Sequence, residues 1–122
     1  MLETYNKKLI EVLKLVAAEV NIQVSAFPGF VHVPDEIASE VSDAIEYAPE
    51  VREDKDTEIL TVLIQIDKIL DKYAGQEGFW TVQSMQENFA WQQIRLIARG
   101  ELQRLEVSED IPDLFWLQYL QQ

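Results

Sequence analysis

The chain has 122 residues, a net charge of −12 and a sequence pI near 4.3, and its length fits one domain spanning residues 1–122. This acidic balance argues against binding to nucleic acids or to an anionic membrane, because both require lysine and arginine at the contact surface. The lack of cysteine excludes disulfides, cysteine-based zinc sites and thiol nucleophiles.

The first predicted element is an amphipathic helix over residues 3–20, in which apolar side chains recur at steps of three and four residues. Its apolar run is broken by charges, so it is neither a signal peptide nor a membrane span, and we expect a cytoplasmic location. A β-branched run at residues 20–24 leads to a predicted turn at Pro28-Gly29. Residues 31–33 then predict an extended approach to the next helix, with a short hairpin as one alternative.

The second predicted helix begins at Pro34 and ends near Ala48, before another proline. Asp35 and Glu36 fall in its first turn, where the helix dipole favours acidic side chains. A charged loop over residues 49–55 is predicted to follow.

A third helix is predicted over residues 57–74, with Asp56 as its N-cap and Gly75 just beyond its end. This helix is apolar on most of its sides. We therefore expect it to lie centrally in a helical bundle.

The fourth helix is predicted from the N-cap Thr81 to Leu105, with a break near Asn88. Gly100 lowers its helix propensity by about 1 kcal/mol relative to alanine and indicates a close helix contact. Pro112 begins a short last helix. The predicted fold is all-α: an antiparallel bundle of four main helices plus a short C-terminal helix.

The negative charge is concentrated in one part of the sequence. Residues 35–58 contain ten acids and two bases, Arg52 and Lys55, so this segment carries −8 of the total −12. The tail from residue 105 to 122 adds four acids and no base. A local potential of one sign raises the encounter rate with an oppositely charged partner. The segment therefore indicates a surface that binds a basic protein, and the alternative is a solvated surface without a partner.

Aromatic residues supply candidate anchors for such a partner. Tyr47 lies between Glu46 and Glu50, an arrangement in which the ring can fill a pocket while the carboxylates fix its orientation. Packing under the following proline turn is the alternative for Tyr47. Packing between helices is the preferred interpretation of the three tryptophans, with interface anchoring as the alternative: Trp80, Trp91 and Trp116.

Few residues are candidates for catalysis. His32 is the one histidine, and together with Asp35 and Glu36 it could act as a general base or a metal ligand. A half-buried histidine with one backbone hydrogen bond is the preferred interpretation. Asp67 and Asp71 share a helix face, but their flanking lysines are typical of a solvated helix edge. The sequence has no phosphate-binding or calcium-binding loop, so we expect no enzymatic activity, no metal and no cofactor.

Two segments resemble bacterial immunity proteins. Phe79-Trp80-Thr81, followed by residues 91–98, is similar to immunity proteins of contact-dependent growth inhibition and related polymorphic-toxin systems. Residues 45–50 with residues 52–54 resemble the tyrosine-proline-acidic segment of nuclease-colicin immunity proteins, but with one tyrosine where that family has an adjacent pair. The resemblance implies a tight, non-catalytic complex with one cognate toxin, often a nuclease. The contact residues that it implies are Tyr47 and the acids around it: Glu46, Glu50, Glu53 and Asp54.

The sequence thus leads to the hypothesis of an immunity protein that is monomeric before it binds a cognate toxin with a basic surface. The alternative is an acidic secretion chaperone or adaptor, which would form a homodimer with an extended apolar groove. The expected toxin-binding residues come from the second helix and the loop after it: Glu36, Glu40, Asp43, Glu46, Tyr47, Glu50, Glu53, Asp54 and Asp56.

Overall fold

The computed structural model describes residues 2–46 and 54–117, with side chains described for residues 7–46 and 58–117. These residues form six α-helices and one 3₁₀ turn, Glu77–Phe79, and contain no strand. The helices are α1 Leu2–Ala17, α2 Val20–Ser25, α3 Val33–Glu46, α4 Asp54–Asp71, α5 Val82–Glu87 and α6 Phe89–Arg104. The all-α prediction is confirmed, and the four long helices α1, α3, α4 and α6 correspond to the four main helices of the prediction.

The four long helices form a ring. α1 packs most extensively against α6, α6 packs on α4, α4 packs on α3, and α3 packs back on α1. α3 and α6 therefore occupy opposite corners of the bundle. Among the helices described, none is long and apolar enough to cross a membrane. Fully buried side chains from all four long helices fill the centre, among them Leu13, Ile37, Leu63, Trp91 and Ile94.

Helix α1 is shorter than predicted because side chains from other parts of the chain cap its end. It stops at Ala17, and the short helix α2, which was not predicted, forms over the β-branched run. Gln23 donates from Nε2 to the carbonyl oxygens of Leu15 at 3.0 Å and Val16 at 3.1 Å. Arg99 donates from Nε to the carbonyl oxygen of Ala17 at 3.0 Å. These bonds satisfy carbonyl groups that a continuing helix would have used.

The bounds of α4 differ from the prediction at both ends. The helix begins at Asp54, so Asp56 lies inside it and is not its N-cap. The helix ends at Asp71, and a turn then leads to Gly75, whose φ of +82° is a conformation that glycine adopts without strain.

The predicted cap and break in the fourth helix are confirmed. Thr81 Oγ1 accepts a hydrogen bond from the backbone N–H of Ser84 at 3.0 Å, which starts α5. Asn88 then separates α5 from α6, and its Oδ1 accepts from the backbone N–H of Ala90 at 2.7 Å. Both are local capping bonds, which explains why the sequence pattern predicted them.

Aromatic packing fixes the segment before α5. Trp91 is 1% exposed, and its Nε1 donates to the carbonyl oxygen of Phe79 at 3.1 Å. The Phe79 ring stacks between Trp91 and Tyr73, with ring centroids 5.1 Å and 4.1 Å away. Trp80 Nε1 donates to the carbonyl oxygen of Tyr73 at 2.8 Å. The packing interpretation of Trp80 and Trp91 is therefore confirmed.

The predicted short helix from Pro112 is absent from the residues described there. Residues 105–117, here called the C-terminal strap, run along the bundle without helix, and residues 118–122 lie outside the described part of the chain. Within the strap, Pro112 and Leu114 are buried. Tertiary contacts fix this extended path in place of helical hydrogen bonds.

Several side chains of α1 contact the strap. The backbone N–H of Asp113 donates to the buried Glu11 carboxylate at 2.7 Å. Near the end of the strap, the Lys8 ammonium group lies 5.4 Å from the centroid of the Trp116 ring. A carboxylate–amide bond and a cation–π contact thus dock the strap on the first helix.

Candidate partner-binding face

Carboxylates line the solvent side of α3. Asp35, Asp43 and Glu46 are exposed and Glu36 is half-buried. These four residues, here called the acidic face, recur at spacings that place them along one side of the helix. Among the described side chains, no lysine or arginine lies within ion-pair distance of Glu36, Asp43 or Glu46.

Glu40 does not belong to this exposed surface. Its side chain is 2% exposed, and its Oε1 accepts a hydrogen bond from Trp116 Nε1 at 2.7 Å. Burial raises the pKa of Glu40 to about 7; the bond from Trp116 opposes this rise, and the carboxylates of Glu36 and Asp43 add to it. The prediction that Glu40 is an exposed partner-binding carboxylate is wrong, because the C-terminal strap covers this position.

The other predicted binding residues are not all placed by the structure. Tyr47, Glu50 and Glu53 lie outside the described residues. Asp54 and Asp56 belong to the first turn of α4, where the backbone is described but the side chains are not. Their part in the candidate site stays a prediction.

Most acids of the C-terminal strap are neutralised by cations of the chain itself. The ion pairs are Lys14–Asp110 at 2.7 Å, Lys7–Asp113 at 3.3 Å and Arg99–Glu109 at 3.2 Å. In sequence, the tail and the segment from residue 35 to 58 both read as acidic. In the structure, three of the tail's four acids form ion pairs with lysine or arginine, whereas no lysine or arginine among the described side chains pairs with the acidic face.

An apolar groove of about 410 Å³ opens at the start of α3, beside the acidic face. Its apolar lining comes from α2, from the α2–α3 connection, and from α5 with the segment that precedes it: Val24, Pro28, Val31, Trp80 and Val82. Phe30, in the same connection, is 80% exposed. The periodicity and charge of the sequence do not predict this groove. A phenylalanine at the tip of a Pro-Gly turn was the signal that could have found it.

His32 ties this connection to the segment before α5. Its Nε2 donates to the carbonyl oxygen of Trp80 at 2.8 Å, and Asp35 Oδ2 lies 3.7 Å from the same nitrogen. The predicted backbone hydrogen bond is confirmed, although the side chain is exposed and not half-buried. No group of three or more histidine and carboxylate side chains suited to a metal ion occurs in the part of the chain that the structure describes.

Comparison with known proteins gives no match to a family model, to a curated protein or to a solved structure. The resemblance to immunity proteins therefore stays a prediction from the sequence.

Proposed function

We propose that this chain is an immunity-type protein that binds and neutralises a cognate toxin with a basic surface, such as a nuclease domain, in the cytoplasm. The observation that carries the proposal is the unequal pairing of the acids. The strap acids Glu109, Asp110 and Asp113 are engaged by the chain's own cations, whereas Asp43 and Glu46 are exposed without such a cation among the described side chains.

Charge complementarity explains why the target would be a nuclease. A nuclease concentrates lysine and arginine where it holds phosphates. A surface of carboxylates can therefore bind over that site and exclude the nucleic acid. Electrostatic steering raises association rate constants to about 10⁸–10⁹ M⁻¹s⁻¹ at low salt, against about 10⁵–10⁶ M⁻¹s⁻¹ for neutral surfaces.

Apolar contacts would set how long the complex lasts. Differences in affinity between related complexes arise mostly from dissociation rates, and aromatic side chains in well-packed pockets dominate these rates. Phe30 and the groove beside it lie next to the acidic face, so one partner can contact both. In this arrangement, the carboxylates accelerate capture and the apolar surface slows release.

A neutralisation assay tests the proposal. The proposal expects the reading frame directly upstream to encode a large secreted protein. The probe is the purified C-terminal domain of that protein, with its toxic activity as the readout. The triple variant Glu36→Lys, Asp43→Lys and Glu46→Lys reverses the acidic face, and we expect it to need at least tenfold more protein for half-neutralisation.

The matched control reverses three exposed acids outside α3: Asp71→Lys, Glu77→Lys and Glu87→Lys. It changes the net charge by the same amount, so we expect near wild-type neutralisation. Equal losses in the two triple variants would show that only net charge matters. Full neutralisation by both would remove the acidic face from the mechanism.

Phe30→Ser separates release from capture. We expect it to raise the dissociation rate of the complex at least tenfold while leaving the association rate within about twofold, since short-range apolar contacts form after the encounter. Ile111→Ser is the control, because Ile111 is 76% exposed on the strap. An unchanged dissociation rate in Phe30→Ser would exclude the groove from the interface.

A further inference from the structure

The junction between α6 and the C-terminal strap has a strained backbone. Glu106 has a φ of +58°, in the left-handed region that favours glycine. The backbone N–H of Val107 donates to the carbonyl oxygen of Leu102 at 2.9 Å, and that of Glu106 donates to Gln103 at 3.1 Å, so this turn ends α6. A glutamate held in this conformation makes the junction a suitable hinge, because a change of backbone angle there releases strain.

The strap beyond this hinge is attached mainly by contacts at the surface. Its exposed carboxylates form the ion pairs Lys7–Asp113, Lys14–Asp110 and Arg99–Glu109. Ion pairs that involve exposed groups are screened by water and salt and add little stability. Two side chains of the strap, Pro112 and Leu114, are buried. A segment with few buried side chains opens locally more often than the core of the same protein.

The end of the strap covers a buried carboxylate on α3. Glu40 is 2% exposed, and its Oε1 accepts a hydrogen bond from Trp116 Nε1 at 2.7 Å. Among the described side chains, no lysine, arginine or histidine forms an ion pair with Glu40. A buried carboxylate without a cation is costly, so the closed strap favours the protonated form of Glu40.

The charged groups around Glu40 do not offset this cost. On α3 itself, Glu36 lies one turn before Glu40 and Asp43 lies one turn after it, and both add negative potential. From α1, the Lys8 ammonium group lies 5.4 Å from the centroid of the Trp116 ring. The helices α4 and α5 also pack on α3, and their described side chains form no ion pair with Glu40.

We propose that the C-terminal strap is a hinged cover, which opens at Glu106 when Glu40 ionises and thereby exposes Glu40 to solvent. Glu40 then lies between Glu36 and Asp43 on the same side of α3, so opening adds a carboxylate to the acidic face. The ion pairs of the strap persist at neutral pH, and we expect the strap to stay closed in most molecules. The inference goes beyond the proposed function and does not depend on it, because the chain opens without a partner.

The direction of the pH dependence follows from which state holds the proton. In the closed state, burial raises the pKa of Glu40 to about 7, and opening returns it toward the ordinary 4.5. Between these values the closed chain keeps a proton that the open chain releases. Opening therefore becomes more favourable as the pH rises, and this effect levels off above about pH 7.

Hydrogen exchange of the full chain at pH 5 and pH 8, read by mass spectrometry of strap peptides, tests the proposal. Dividing each rate by the intrinsic rate at that pH gives the opening equilibrium constant. We expect this constant to rise at least tenfold in the wild type but less than about twofold in Glu40→Gln. Glu46→Gln, on the exposed side of α3, is the matched control and should behave as the wild type. Protected amides in α6 verify that each variant is folded.

Thiol labelling gives a second measurement, since the chain has no cysteine of its own. Leu114 is 5% exposed and Ile111 is 76% exposed, so Leu114→Cys reacts only when the strap opens, whereas Ile111→Cys reacts freely. We expect the ratio of their labelling rates to rise at least tenfold from pH 5 to pH 8, and to stay constant when Glu40→Gln is added.

Three results would overturn the proposal. The first is a strap opening constant, or a labelling ratio, that is equal at the two pH values in the wild type. The second is an equal rise with and without Glu40→Gln. The third is exchange of the strap amides that is only as fast as that of α6, because the strap would then open only when the whole bundle unfolds.

Discussion

Replacing Glu40 with glutamine should stabilise the protein increasingly as the pH rises from 5 to 8. Glu40 is buried, and it accepts a hydrogen bond from Trp116 with the neighbouring carboxylate of Glu36 close by. Burial therefore raises its pKa to about 7 from an ordinary 4.5. Glutamine keeps a side-chain oxygen that can accept from Trp116 but cannot ionise.

The sign of the effect follows from which state holds the proton. Below pH 4.5, Glu40 is protonated in both the folded and the unfolded chain. Between pH 4.5 and about 7, the folded chain keeps this proton while the unfolded chain loses it, so the free energy of unfolding falls as the pH rises. Above about pH 7, the folded chain bears the full cost of a buried carboxylate.

The expected magnitude is about 2–3 kcal/mol between pH 5 and pH 8, since one unit of pKa corresponds to about 1.4 kcal/mol. Denaturant unfolding of the wild type and of Glu40→Gln at both pH values measures it, because the difference between the two proteins cancels the other titrating groups. Glu46→Gln makes the same change on the exposed side of α3 and is the matched control. Two results would refute the reasoning. One is a stability difference between the wild type and Glu40→Gln that is equal at both pH values. The other is a Glu40→Gln variant that is less stable than the wild type at pH 8.

Three further substitutions test other contacts. Trp116→Phe should lower the free energy of unfolding at pH 8 by about 1–3 kcal/mol, because the buried Glu40 carboxylate loses its indole donor. Denaturant unfolding measures this loss, and an unchanged free energy of unfolding would contradict the prediction. Gly100→Ala should raise the free energy of unfolding by about 1 kcal/mol, because Gly100 lies inside α6 with open space beside it; a lower melting temperature in dilute solution would count against this. Gln23→Met should lower the free energy of unfolding by about 1–3 kcal/mol, because the carbonyl groups at the end of α1 lose their donors. Backbone hydrogen exchange should then become faster at the end of α1. Unchanged exchange would show that Gln23 does not cap this helix.

The sequence predicts those parts of the fold that depend on nearby residues. The four long helices follow from apolar side chains repeating at the helical period, which each segment carries by itself. The N-cap Thr81 and the break at Asn88 are also local, because their side chains bond backbone groups two or three residues away.

The parts that the sequence did not predict depend on residues far apart in the chain. The break after α1 requires a hydrogen bond between Arg99 and Ala17, which are 82 residues apart. The burial of Glu40 requires Trp116, which is 76 residues away. No periodicity within a segment records such contacts, so the sequence alone predicts too long a first helix and an exposed carboxylate at Glu40.

In the candidate site too, local features were predictable from the sequence and contacts between distant residues were not. Counting charges located the acidic segments, but it could not distinguish an acid paired internally from one that is available to a partner. Asp110 and Asp43 are both exposed aspartates in acidic stretches. Lys14 pairs with Asp110 at 2.7 Å, whereas no cation among the described side chains pairs with Asp43. Only the three-dimensional arrangement shows which of the two aspartates is paired within the chain.

The central claim is that the acidic face captures a basic partner by electrostatic attraction. Its most direct test is the association rate constant with the cognate toxin domain, measured by stopped-flow fluorescence from low to high salt. The account predicts a rate at low salt that falls steeply as salt is added, and at least a tenfold slower rate at low salt for the variant reversed at Glu36, Asp43 and Glu46. A rate that depends little on salt, or that this reversal leaves unchanged, would contradict it.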